Sequence, residues 1–150
     1  MIYKFNVKLW RRVPKFEITI FKKYEKLKNN YYRVHVCDTL EEMWNAVDKI
    51  SSEPEERNYN AMCKSIFKIY PEENKISNRV GYIFFAKESM GAGTIAHECT
   101  HAVNYYFRNF IKDNKKLFSD STYDETFAYM LGSLVWQINH FMWDNNLYDD

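Results

Sequence analysis

The chain has 150 residues, 46% of them hydrophobic and 18% aromatic, with only four Gly and three Pro, a composition that excludes disorder and suits one packed domain over residues 1–150. Twenty-one Lys and Arg against twenty Asp and Glu leave a formal net charge of +1, without the basic excess usual in a nucleic-acid binder. Three widely spaced cysteines, Cys37, Cys63 and Cys99, are odd in number, give no disulfide framework and suit a reducing cytoplasmic setting.

Tyr3, Phe5, Val7 and Leu9 alternate with Lys4, Asn6 and Lys8, the period of a half-buried strand. Charges interrupt the same stretch, so it lacks the apolar core of a signal peptide. Phe16, Ile18 and Ile20 predict a second strand, and Tyr32, Val34 and Val36 a third. His35 falls on the opposite face of that third strand, where a surface position is expected rather than a metal ligand.

Asp38-Thr39 opens a helix, with Thr39 and Glu42 spaced as a capping box and Leu40, Met43, Trp44, Val47 and Ile50 as its apolar stripe. Polar residues 51–60, carrying Pro54, read as a loop. Residues 61–70 read as a strand, 71–75 as a turn, and 80–85 as another strand. Gly91 and Gly93 loosen the junction between that strand and the helix expected after it. The longest apolar-rich stretch, residues 127–136, is too short to span a bilayer. The order of elements predicts an α+β domain, with helices on one side of an antiparallel or mixed sheet.

The chemistry concentrates in Ala96-His97-Glu98-Cys99-Thr100-His101, a His-Glu-x-x-His motif. On a helix the two histidines stand one turn apart on one face, where neutral imidazoles can grip one zinc ion. Glu98 lies beside them, placed to take a proton from a metal-bound water. Ile95, Cys99, Ala102, Val103, Tyr106 and Phe110 form the apolar face, and His97, His101, Asn104, Tyr105 and Arg108 the opposite one.

A catalytic zinc usually has three protein ligands and an open position. Asn104 and Phe107 stand where an extended metzincin motif would need Gly and His. The third ligand is therefore sought in Asp124-Glu125-Thr126, 24 residues beyond His101, with Glu125 preferred and Asp124 the alternative. Thr122-x-x-Glu125 is equally a capping-box pattern, which would give Glu125 a structural role. Ala128 and Gly132 share Glu125's side of this helix, where small residues would admit a close helix neighbour. Phe127, Leu131, Leu134, Ile138 and Phe141 make the expected buried stripe. His140 joins Thr126, Ser133 and Gln137 on a polar stripe and is expected to face solvent.

His97-Glu98-x-x-His101 followed by Glu125 resembles the gluzincin branch of the zincin metallopeptidases. More narrowly, residues 80–140 resemble short zincin-like proteins encoded by tailed bacteriophages and prophages. The resemblance implies a minimal zincin-like domain with the first motif on the active-site helix and the third ligand on the C-terminal helix. It implies Zn2+ held by His97, His101 and Glu125, Glu98 as general base, and a peptide or protein substrate in the cytoplasm, a host's if phage-encoded. It also implies that residues 80–85 form the strand bordering the cleft. Gluzincins commonly carry an aspartate four residues after the ligand glutamate, and this chain has Tyr129 there. Tyr129 or Asp124 is left to orient a histidine, and Tyr105, Tyr123 and Tyr129 are the choices for an oxyanion donor. A zinc-stabilised interaction module without catalysis is the alternative, and a DNA-associated SprT-like protease a third.

Overall fold

A computed structural model describes residues 2–14, 24–73, 75–111 and 120–148. In chain order its elements are β1 (Ile2–Lys8), a one-turn helix α1 (Tyr24–Leu27), β2 (Tyr31–Cys37) and α2 (Leu40–Ile50). Then come β3 (Ala61–Ser65), a small hairpin of β4 (Ile69–Tyr70) and β5 (Lys75–Ile76), and β6 (Arg79–Ala86). The chain closes with α3 (Ala92–Tyr106), a π-helical continuation at Phe107–Ile111, and α4 (Asp120–Asp144). The expected strand at Phe16–Ile20 lies outside the described residues.

The main sheet has the order β1-β2-β6-β3. β1 and β3 run antiparallel to their neighbours, whereas β2 and β6 pair in parallel, so the sheet is mixed and the fold α+β. Parallel partners cannot be joined by a hairpin; the connection must cross a face of the sheet. α2 lies in that connection, and its position corrects the expectation of helices on one side only. Met43, Ala46 and Val47 of α2 bury against Cys37, Phe84 and Ala86 on one face. α3 and α4 cover the other, where Val34, Val36, Ile83 and Phe85 meet Ile95, Cys99, Val103, Met130 and Leu134. The unbroken apolar run of β6 fits a strand covered on both sides. Thr39 caps α2 as expected, its Oγ1 accepting from the Glu42 N–H at 3.2 Å.

Two-sided cover also changes the reading of His35. It is buried at 8% exposure, not on the surface, with its ring edge-on to Phe84 at 4.9 Å and Tyr82 at 5.7 Å. Burial, helped by Lys4 and Arg33, holds its pKa down to about 4, and its buried Nδ1 has no hydrogen-bond partner among the described residues. It sits on the sheet face opposite α3, away from the other histidines.

The expected strand over residues 61–70 is broken. After Ser65 the chain leaves the sheet: Phe67 turns inward against Phe110, 5.0 Å between ring centroids, and Ile69 and Tyr70 go into the exposed β4–β5 hairpin. All three cysteines are buried free thiols. Among the described residues, no helix is long and apolar enough to cross a membrane.

Candidate metal and catalytic site

α3 divides into two faces as its sequence predicts. Ile95, Cys99, Ala102, Val103 and Tyr106 are buried against the sheet, while His97, Asn104 and Arg108 are exposed and His101 and Tyr105 half-buried. The face bearing the histidines is fixed from behind. Tyr32 donates its hydroxyl to the Ala102 carbonyl at 2.9 Å. Trp10 Nε1 donates to the Tyr106 hydroxyl at 2.9 Å, and that hydroxyl donates onward to Asn30 Oδ1 at 2.7 Å. Burial raises the pKa of both tyrosines, so they remain neutral donors.

Gly81 makes the first of these bonds possible. A Cβ there would lie 2.2 Å from the Lys64 carbonyl oxygen and 2.6 Å from the Tyr32 ring. Only a residue without a side chain lets β3, β6 and the Tyr32 ring meet so closely. A glycine inside a strand signals such an approach. Tyr32, Trp10 and Asn30 carry no comparable mark in the sequence.

On the outward face, His97 Nε2 and His101 Nε2 converge to 3.1 Å, with the ring planes at 78°. The two nitrogens are within hydrogen-bonding distance of each other as they stand. The separation also fits a shared ion, since tetrahedral zinc with Zn–N bonds near 2.0–2.1 Å sets its nitrogens about 3.3 Å apart. Tyr105 stacks on His101 at 5.8 Å and 19°.

Glu98 is turned differently. It is buried at 7% exposure and lines a pocket of about 410 Å³ with Tyr59, Asn60, Ala61, Gly93, Thr94 and His97. Burial raises its pKa, while His101 and His97 pull it back down. Burial likewise pushes the Cys99 thiol up to about 12 and raises that of Cys63, so neither contributes a second charge beside the carboxylate. The pocket rim is tied to both its neighbours: Trp44 Nε1 donates to the Tyr59 carbonyl at 3.0 Å, and Ser89 Oγ to the Asn60 carbonyl at 3.0 Å. This arrangement offers two convergent imidazoles and a carboxylate suited to proton transfer nearer neutrality than an exposed one.

The sheet strand beside this pocket is β3, not the expected 80–85 segment. β6 has β2 on one side and β3 on the other, so neither of its edges is open. β3 stands at the edge of the sheet and packs along α3.

Glu125 and Asp124 are both exposed on α4. Among the described residues, no group of three His, Cys, Asp or Glu side chains is placed to hold a metal ion, so neither carboxylate is brought together with the histidine pair. The helix already includes Asp120, which puts Thr122 inside it rather than at the cap position the Thr122–Glu125 pattern requires. Ala128 and Gly132 are exposed, and among the described residues a Cβ at Gly132 would meet nothing within 4 Å, so they form no close contact with another described helix.

The phase of α4 differs from its expected stripe. Met130, Leu134 and Ile138 are fully buried, and Thr126, Ser133 and Gln137, which the sequence pattern puts on the polar side, are buried with them. The Gln137 amide accepts from the Lys8 N–H and donates to the Lys8 carbonyl, both at 2.8 Å, and so continues the hydrogen bonding of β1. Full pairing lets a polar group enter the core. Phe127, Leu131 and Phe141 are half-buried at its margin. His140 is exposed as expected, its ring 3.8 Å from that of Trp136. Of the three candidate tyrosines, Tyr105 stacks on a site histidine, Tyr123 packs on Phe107 and Tyr129 is exposed.

Fold and site together present paired imidazoles with a buried carboxylate, on a helix laid against a mixed sheet beside its edge strand. No protein-family model matches the chain, and comparisons with curated proteins and with solved structures return no match either.

Proposed function

We propose that the chain is a metal-dependent hydrolase, and within that class a zinc peptidase of the gluzincin type. The observation that carries the reading is the 3.1 Å convergence of His97 Nε2 and His101 Nε2 beside the buried Glu98. His97 and His101 would hold the ion; Glu125 is the proposed third ligand, with Asp124 as its neighbour and rival, and either carboxylate would have to approach the pair from α4, since neither stands beside it in this structure. When bound, zinc supplies a Lewis acid that polarises a carbonyl and acidifies water. Glu98 takes the proton from the attacking water and delivers it to the leaving amine. Burial raises its pKa and so makes it a stronger base than an exposed carboxylate. Tyr105, stacked on His101, is the best placed of the tyrosines to donate to a developing oxyanion.

An extended peptide would lie along β3, whose ladder to β6 uses one side of the strand only. Peptide or protein is therefore the proposed substrate class, met in the cytoplasm, a host's if the chain is phage-encoded. The retained Glu98 favours this reading over a zinc-stabilised interaction module, because a purely structural site has no use for a base. The charge balance weighs against a DNA-associated SprT-like protease.

The test pairs metal analysis with one variant. Purified protein should take up about one zinc per chain, and Glu98→Gln should keep the zinc and the fold while losing peptide hydrolysis. No zinc uptake on titration sinks the site. Zinc uptake with no hydrolysis by the unmodified protein favours the interaction module, and hydrolysis undiminished by Glu98→Gln refutes the role of the base.

A further inference from the structure

β3 and α3 run side by side in the same direction. Ala61, at the start of β3, lines the Glu98 pocket with Gly93 and His97, whereas Ser65, at its end, accepts a hydrogen bond from Asn109 Nδ2 at 3.0 Å. Further along the same pair of elements, past His101, lies a second pocket of about 510 Å³, lined by Ser52, Lys64, Ser65, Tyr105 and Arg108 among others. The charged residues lining it are both cations, with no carboxylate among the described lining residues. Lys64 is committed to Glu55. Arg108 is exposed, and its guanidinium rests against the Tyr105 ring, 5.5 Å from the centroid.

His101, Tyr105 and Arg108 follow one another at steps of four and three residues, in single file along the helix. Seven residues at 1.5 Å each place Arg108 about 10 Å beyond His101. An extended peptide advances about 3.3 Å per residue, so that distance is about three residues of substrate. Arg108 stands at the π-helical continuation of α3, a geometry found often at functional sites.

We infer that this second pocket is a specificity subsite for an acidic side chain of the substrate, two or three residues from the bond cut, with Arg108 as the group that binds it. The inference rests on the peptidase reading for the word substrate, and on the pocket alone for the binding. A guanidinium pairs with a carboxylate through two parallel N–H···O bonds, which a neutral amide cannot match. The Ser52 hydroxyl lines the same pocket and offers a further donor.

The experiment measures binding of labelled peptides by fluorescence anisotropy to the zinc-loaded Glu98→Gln protein, which reads the pocket without hydrolysis. One parent peptide carries Glu, Gln or Lys at each position from three before to three after its centre. At one position Glu should bind about tenfold or more tighter than Gln, with Lys weakest, as expected of a charge-assisted pair. The preference should vanish when Arg108→Gln is added, and the melting temperature should confirm that this exposed change leaves the fold intact. Equal affinity for Glu and Gln at every position, a preference that survives Arg108→Gln, or binding of no peptide at all would each overturn the subsite. Cleavage separates the two readings. Unmodified protein that cuts neutral and acidic peptides alike loses the subsite but keeps the peptidase, whereas an acidic binding preference without any cleavage keeps the subsite and refutes the peptidase.

Discussion

His35 gives the folded protein a specific sensitivity to mild acid. In the unfolded chain its imidazole takes up a proton near pH 6.5, whereas burial against Phe84 and Tyr82 holds the folded value down to about 4. A histidine shifted in this direction is neutral in both states above 6.5 and costs nothing there. As pH falls through the window from 6.5 to 4, the unfolded chain binds a proton that the folded protein refuses, and stability is lost. The linkage amounts to about 2 kcal/mol between pH 7 and pH 5 and about 3 kcal/mol by pH 4. Below that the folded protein protonates too, and the loss levels off.

The perturbation is His35→Leu, a side chain of similar bulk that cannot titrate and removes the unpartnered Nδ1. Urea unfolding followed by tryptophan fluorescence, at pH 7 and pH 5, gives four stabilities. The substitution should be close to neutral at pH 7, and the variant should exceed the unmodified protein by about 2 kcal/mol more at pH 5 than at pH 7. Other groups titrate in both proteins and cancel in that difference. Parallel losses in the two would refute the buried, neutral histidine. Raising the salt should weaken the share due to Lys4 and Arg33 and leave the larger share due to burial.

Two further predictions concern the site's support and its ligands. Gly81→Ala drives a methyl group into the Lys64 carbonyl and the Tyr32 ring, and should cost about 1–3 kcal/mol. That is a fall of about 5 °C in a circular-dichroism melt; an unchanged melting temperature would mean the strands part without strain. Glu125→Gln should abolish most of the stabilisation that zinc confers while barely altering the chelator-treated protein, because metal binding adds to the folded state alone. Equal zinc-dependent shifts in the two proteins would eliminate Glu125 and direct attention to Asp124.

The local features were legible where local pattern decides them. Period-two alternation marked β1 and β2, the Thr39 cap marked α2, and three- and four-residue steps separated the two faces of α3 residue by residue. What escaped depends on distant chain. The phase of α4 turns on Gln137 finding the Lys8 backbone, 129 residues away, so a polar residue enters the core for a reason its neighbours do not carry. His35 looked outward because one face of its strand already had an apolar set. The parallel pairing of β2 with β6 brings α2 over the other face, and no alternation within the strand announces that. The same limit governs the third ligand: Glu125 is a suitable residue type at a suitable interval, but its distance from His97 and His101 is a tertiary matter.

The ties behind α3 also bear on the order in which the molecule assembles. Ala102 is bonded to Tyr32 across 70 residues, Tyr106 to Asn30 across 76, and Trp10 to Tyr106 across 96. Contacts of such sequence separation form slowly, since a long loop must close before they return any energy. During synthesis Tyr32, Asn30 and Trp10 wait for 70, 76 and 96 further residues before their partners on α3 emerge. The helix that bears His97 and His101 can coil by itself, but its roll about its axis is fixed by its apolar face on the sheet together with the bonds from Trp10, Asn30 and Tyr32. A fragment limited to residues 80–140 would contain both motifs and lack the residues that aim them.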